Sequence, residues 1–236
     1  MKYKRILLKI SGESLGGASQ KGIDAEMLRY FATEIKAVYD KGVQVAVVIG
    51  GGNIFRGLQG ASKGFDRIQG DYMGMLATIV NSMALQGELE ANNTPAVILS
   101  GLSIDPVCER MSSRRAIRYL ESGQVVIISG GTGNPFFTTD SGGALRAVEI
   151  KADALLKGTR VDGVYNKDPE KYKDARKYNT LSFDQAYKEG LNIMDLTAFT
   201  LCKENNMPLV VFDMNTKGNL SKIVEGEEIG TTVNGE

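Results

Sequence analysis

Three clusters of glycine in the 236-residue chain each follow directly on a short apolar run: Gly12, Gly16 and Gly17; then Gly50, Gly51, Gly52 and Gly57; then Gly130, Gly131 and Gly133. A backbone without side chains lets its N–H groups approach phosphate oxygens and adopt positive φ, so the chemistry these loops suit is phosphate binding. Cations stand beside them. Lys9 precedes the first cluster at a strand end, and Arg56 lies in the glycine-flanked turn, where its planar fork can take two phosphate oxygens at once. Asp140 follows the third cluster and can either cap a helix or orient Lys9 and metal-bound phosphates. Taken singly, each loop reads as a tight turn, Lys9 as a solvated strand end and Arg56 as a surface arginine. Three loops at equivalent strand ends instead point to one shared site and a substrate with several phosphates.

What the chain lacks narrows the chemistry further. It has no histidine, which removes Ser-His and Cys-His nucleophile pairs, zinc sites with His ligands and the usual neutral-pH proton shuttle. Cys108 and Cys202 are too few for a disulfide framework or a Cys-only zinc site, and a reduced cytoplasmic setting is expected. The 28 Lys+Arg balance the 28 Asp+Glu, which argues against a dedicated nucleic-acid binder. No apolar run approaches the roughly 18 to 20 residues that span a bilayer, so neither a signal peptide nor a membrane span is expected. No Gly-Lys dipeptide occurs, which excludes a Walker A loop, and G-x-G-x-x-G fails in every cluster. The protein-kinase catalytic-loop signature is missing too.

Short Val/Ile/Leu-rich runs alternate with helical patterns, as in a parallel sheet covered on both faces, so the expected class is α/β. Strands are expected at Arg5 to Ile10, Val43 to Ile49, Pro95 to Leu99, Val125 to Ser129, Ala154 to Lys157 and Leu209 to Phe212. A helix should start at the N-cap Asp24, show Met27, Phe31, Ile35 and Val38 on one face and stop at Gly42. Asp66 to Asn92 reads as a bent or split helix because it contains Gly70, Gly74 and Gly87. Further helices are expected from about Ser112 to Glu121, Asp140 to Ala152, Ser182 to Lys188, Asp195 to Asn205 and Asn219 to Val224. One domain over residues 1–236 is the simplest organisation.

The residues around the glycines are distinctive: Lys9-Ile10-Ser11-Gly12-Glu13, then Gly50-Gly51-Gly52-Asn53-Ile54-Phe55-Arg56-Gly57, and Gly131 through Asp140, which reads GTGNPFFTTD. With Gly70 to Met75, Lys157-Gly158-Thr159, Val161 to Tyr165, Asp168-Pro169 and Met194-Asp195-Leu196, the chain resembles the bacterial UMP kinases of the amino acid kinase family. The resemblance implies one αβα domain with a mostly parallel twisted sheet, the monophosphate site toward the N-terminal part and the ATP site toward the C-terminal part. It implies transfer of the γ-phosphoryl group of Mg-ATP to UMP, in pyrimidine nucleotide synthesis, by a homohexamer. Phosphoryl transfer rests on positioning and cations, and an acceptor phosphate with a second pKa of roughly 6 is its own nucleophile, so no histidine is required.

By the same resemblance Lys9, Arg56 and Asp140 are the catalytic candidates, with Asp140 an organiser instead of a base. Lys9, Ile10, Ser11, Gly12, Gly52, Arg56, Thr159, Tyr165 and Asp168 would hold ATP. Gly51, Asp71, Thr132, Gly133, Asn134, Pro135, Phe136, Phe137, Thr138 and Thr139 would hold UMP, Asp71 by accepting from ribose hydroxyls. Asp71 also reads as a solvated helix-start carboxylate, and Asp195 as either a residue near the reaction centre or an N-cap. Gly17, Ala18, Ser19, Gln20, Lys21 and Gly22 correspond to a GTP activation segment, with UTP as feedback inhibitor. The metal enters with ATP as Mg²⁺, and no metal ligand is assigned. The rival readings are an amino acid kinase with a carboxylate or carbamate acceptor, and a catalytically silent nucleotide sensor.

Overall fold

The computed structural model describes residues 1–55, 64 and 66–235. In chain order its strands are β1 (Arg5–Ile10), β2 (Gln44–Ile49), β3 (Ala96–Ser100), β4 (Glu109–Arg110), β5 (Val125–Ser129) and β6 (Ala154–Thr159). Then come β7 (Val164–Tyr165), β8 (Lys177–Tyr178), β9 (Thr180–Ser182), β10 (Leu209–Asp213) and β11 (Thr231–Asn234). The helices are α1 (Gly12–Leu15), α2 (Ala25–Tyr39), α3 (Arg67–Ala91), α4 (Ser113–Glu121), α5 (Thr139–Glu149), α6 (Phe183–Lys188), α7 (Leu196–Glu204) and α8 (Asn219–Glu225).

Nine strands form one sheet in the order β4-β3-β5-β2-β1-β6-β10-β11-β9, parallel throughout except where β11 pairs antiparallel with β10. The strand period of two sends β1 side chains alternately to opposite faces. Ile6, Leu8 and Ile10 join Phe31 and Ile35 of α2, Leu85 and Leu89 of α3 and Leu220 and Val224 of α8 in one core layer. Leu7 joins Ala116 of α4, Ala144 and Ala147 of α5 and Ala198 and Phe199 of α7 in the other. The result is the expected αβα sandwich.

Most expected elements stand where the sequence placed them. Asp24 caps α2 by accepting from the Glu26 and Met27 amides, and Gly42 ends that segment at φ 80°. The helix expected over Asp66 to Asn92 is not split: α3 runs uninterrupted for 25 residues. The cost of roughly 1 kcal/mol per helical glycine is outweighed by packing. Bare backbone serves close approach here, because a Cβ on Gly51 would lie 2.7 Å from the Gly74 carbonyl oxygen. The helix expected from Asp140 to Ala152 instead begins at Thr139 under a Thr138 cap and ends at Glu149, with Lys151 at φ 55°. Strands β4, β7, β8, β9 and β11 lay below the pattern because each is two to four residues long. No helix among the described residues is long and apolar enough to cross a membrane.

Candidate functional site

Strands β1 and β6 both contain Leu-Leu-Lys, and their parallel register pairs Leu7 with Leu155, Leu8 with Leu156 and Lys9 with Lys157. Both lysines therefore rise at the same level on the α5 side of the sheet. Asp140, in the first turn of α5, drops between them. Its Oδ1 accepts from Lys9 Nζ at 2.8 Å and its Oδ2 from Lys157 Nζ at 2.6 Å, with the three side chains only 14 to 16% exposed. Lys157 also donates to the Ile193 carbonyl at 2.6 Å. Burial raises the Asp140 carboxyl, but the two ammonium groups overcome this and hold it below its usual range. Burial pushes Lys157 down, as does Lys9, against the pull of Asp140.

Helix capping fixes this carboxylate. The Thr138 hydroxyl accepts from the Ser141 amide to cap α5, so Asp140 is not the cap and both its oxygens go to lysines. Thr138 donates in turn to Asp195, which also accepts from the Ser141 hydroxyl at 2.9 Å and caps α7 through the Ala198 amide at 3.0 Å. Asp195 is thus the N-cap of α7, and its bonds to Thr138 and Ser141 tie that helix to the start of α5.

Two cavities open on the lysines, and a third reaches Thr138 and Thr139 beside Asp140. A cleft of about 540 Å³ is lined by Lys9, Ser11, Lys157, Thr159, Arg160 and Asn215 among others, with Gly17, Ala18 and Gln20 on its wall. A second, also about 540 Å³, shares Lys157 and Thr159 and continues past Tyr165, Asn166, Asp168 and Leu191. The two abut at Lys157 and Thr159 and so make a trough. A third, about 310 Å³, is lined by Gly51, Gly52, Phe55, Arg67, Asp71, Met75, Thr132, Asn134, Phe137, Thr138 and Thr139.

Most site candidates gather on these walls, and some do not. Ile10 is buried in β1, and Gly12 packs so closely on Gly50 that a Cβ would collide with its carbonyl oxygen. Gly52, expected on the ATP side, lines the third cavity with Gly51. Gly133 packs on the Gly101 carbonyl, and Pro135 and Phe136 lie outside the third cavity's lining. Phe136 is 64% exposed at φ 72°, its ring under the Arg67 guanidinium. Of the activation segment, Ser19, Lys21 and Gly22 are off the first cleft's wall. Arg56 lies outside the described residues. The Asp71 side chain is only 12% exposed and accepts from the Arg67 Nε and the Phe136 amide, each at 2.8 Å, so the solvated reading is corrected. Asn166 braces the β7–β8 hairpin by accepting from the Arg176 amide at 2.8 Å.

Two features escaped the sequence reading. One is Lys157, for which the Leu-Leu-Lys shared by β1 and β6 is the sequence signal. Asn53 and Asn81 exchange amide bonds at 3.0 and 2.8 Å, and Asn81 also donates to the Gly50 carbonyl, which ties the second glycine loop to α3. The Cys202 thiol, pushed up to about 12 by burial, is no nucleophile.

The model of the amino acid kinase family matches residues 4–213, and the chain belongs to that family. Within it, the chain is 58% identical over 232 residues to the uridylate kinase of Bacteroides thetaiotaomicron, covering 98% of each. It is 56% identical to that of Porphyromonas gingivalis, covering 98% of this chain and 97% of the relative. The UMP kinase structure from Bacillus anthracis superposes with a TM-score of 0.96 at 36% identity, covering 99% and 97%. That of uridylate kinase from Archaeoglobus fulgidus superposes at 0.75 and 31%, covering 99% and 100%.

Proposed function

We propose that this chain is an enzyme that transfers the γ-phosphoryl group of ATP to UMP, giving UDP and ADP. The observation that carries the reading is the Lys9–Asp140–Lys157 group, whose lysines line the trough while Thr139, next to Asp140, lines the compact cavity, in a chain at least 56% identical over nearly its full length to uridylate kinases. ATP lies along the trough, its adenosine end toward Tyr165 and Asp168 and its phosphates toward Lys9, Ser11 and Lys157. UMP fills the third cavity, with Asp71 offered to its ribose and the loop from Thr132 to Thr139 around its base and phosphate. Arg56 joins the phosphates at the transfer point. The acceptor site draws on the N-terminal part of a single domain and the ATP site on the C-terminal part.

The two ammonium groups neutralise charge on the transferred phosphoryl as the bond to the β-phosphate loosens. Asp140 holds them apart and aimed. The acceptor phosphate, dianionic near neutrality, attacks without an enzyme base. Magnesium fits as the nucleotide's own ion: among the described residues no three His, Cys, Asp or Glu side chains gather as a metal cage, and Mg²⁺ characteristically rides on phosphate oxygens and water. When bound it neutralises phosphate charge.

GTP activation and UTP inhibition belong to the same proposal. For GTP the support is that Gly17, Ala18 and Gln20 reach the cleft that holds Lys9, so a shift of that segment would be felt at the ATP phosphates. A cytoplasmic homohexamer does too. Ile68, Tyr72, Leu76, Val80 and Met83 form a stripe on α3, each 40 to 49% exposed, that suits a two-fold contact with a second copy. The test is incubation with Mg-ATP and UMP, CMP, AMP, GMP, glutamate or carbamate in turn, following ADP and product. UDP formation with UMP far ahead of the rest is expected. Turnover with a carboxylate or carbamate instead, or with nothing, overturns the reading.

A further inference from the structure

Arg146 lines none of the three cavities, yet it sits beneath the acceptor loop, only 7% exposed. Its Nη2 donates to the Gly131 carbonyl at 3.0 Å and its Nη1 to Glu149 Oε2 at 2.7 Å, while its Nε is buried with no partner. A guanidinium is costly to bury, and an apolar side chain of similar size would fill the space without that cost. Its contact therefore invites a reason beyond packing.

The carbonyl of Gly131 and the N–H of Thr132 belong to one planar trans peptide and point in opposite directions. With the carbonyl held on Arg146, which lines none of the cavities, the Thr132 N–H is turned away from that side chain. Gly131 and Thr132 themselves line the third cavity. Gly131 stands at φ 54°, and a glycine ahead of the Gly131–Thr132 peptide leaves that peptide easier to turn unless something holds it. Gly142, one turn before Arg146, keeps the approach close, since a Cβ there would lie 3.3 Å from Gly131 Cα.

We infer that Arg146 is a positioning residue for acceptor recognition: it locks the Gly131–Thr132 peptide so that the Thr132 N–H faces the cavity and donates to a carbonyl oxygen of the uracil base. The inference rests on UMP being the acceptor. Uracil suits a fixed donor because its ring carbonyls are acceptors, and a donor that is already oriented costs no reorganisation on binding.

The test compares full-length Arg146→Lys with Glu149→Gln. Glu149→Gln leaves the Arg146–Gly131 bond in place, so it should lower thermal stability while KM for UMP stays within about twofold of the parent. Arg146→Lys lacks the fork that spans Glu149 and Gly131, so it should raise KM for UMP about tenfold and leave kcat and KM for ATP nearly unchanged. Unchanged KM for UMP in folded Arg146→Lys, or equal rises in both KM values, would overturn the inference. If the arginine variants fail to fold, the unmutated enzyme decides: saturating UMP should slow hydrogen exchange at the Thr132 amide about tenfold. Unchanged exchange there overturns it. A parent enzyme that does not phosphorylate UMP refutes the underlying reading instead, before any variant is made.

Discussion

Asp140 sits where burial and charge oppose each other, and its two lysines win. A lowered carboxyl contributes stability that is fully present above the unfolded value of about 4 and lost as pH falls through the lower folded value. The melting-temperature deficit of Asp140→Asn should therefore be largest near neutrality and shrink in acid, as calorimetry from pH 6 to 2 would show. A deficit constant across that range would mean the ion pairs contribute nothing. Lys157 is held below its ordinary 10.5, so the alkaline fall of kcat should begin below the lysine range. In Asp140→Asn the ammonium loses its attracting charge, and that limb should move to still lower pH. A limb that stays put would show that it does not report Lys157. Lys157→Gln should cost about 10² to 10³ in kcat, the scale of removing one preorganised charge donor. Full activity in a folded variant would remove Lys157 from the site.

The elements position these residues through contacts that only glycine permits. A Cβ on Gly12 would collide with the Gly50 carbonyl, and one on Gly51 would sit 2.8 Å from Ala77 Cβ. Gly51→Ala should cost about 1 to 3 kcal/mol and raise KM for UMP more than KM for ATP, because α3 must retreat from the third cavity. Melting curves and initial rates check this, and a variant as stable as the parent contradicts the packing. The sequence disclosed the glycine loops, the strand ends and Asp24 and Asp195 as caps, because each is a local signal. It concealed what depends on register: Lys157 faces Lys9 only because β6 pairs with β1 without a shift. Nor did it show that Asp140 is not the cap of α5, since aspartate caps helices well and only the structure puts Thr138 in that place.

Across the whole molecule, the glycine loops after β1, β2 and β5 meet beside one another because those strands are parallel and close in the sheet. A net charge of zero leaves no long-range field to gather anionic nucleotides, so their attraction is local to Lys9, Lys157, Arg160 and Arg67. If the α3 stripe is a contact between copies, Val80→Glu should reduce the mass measured by light scattering. An unchanged mass would assign the stripe elsewhere. The central claim is that this site moves a phosphoryl group by charge and position, with the acceptor's own phosphate as nucleophile. Its most direct test is the acidic limb of kcat/KM for UMP against its thiophosphate analogue, whose phosphate ionises at lower pH, under conditions where chemistry limits the rate. The account predicts a limb near pH 6 for UMP that shifts downward with the analogue. A limb identical for both acceptors would place the base on the enzyme and contradict it.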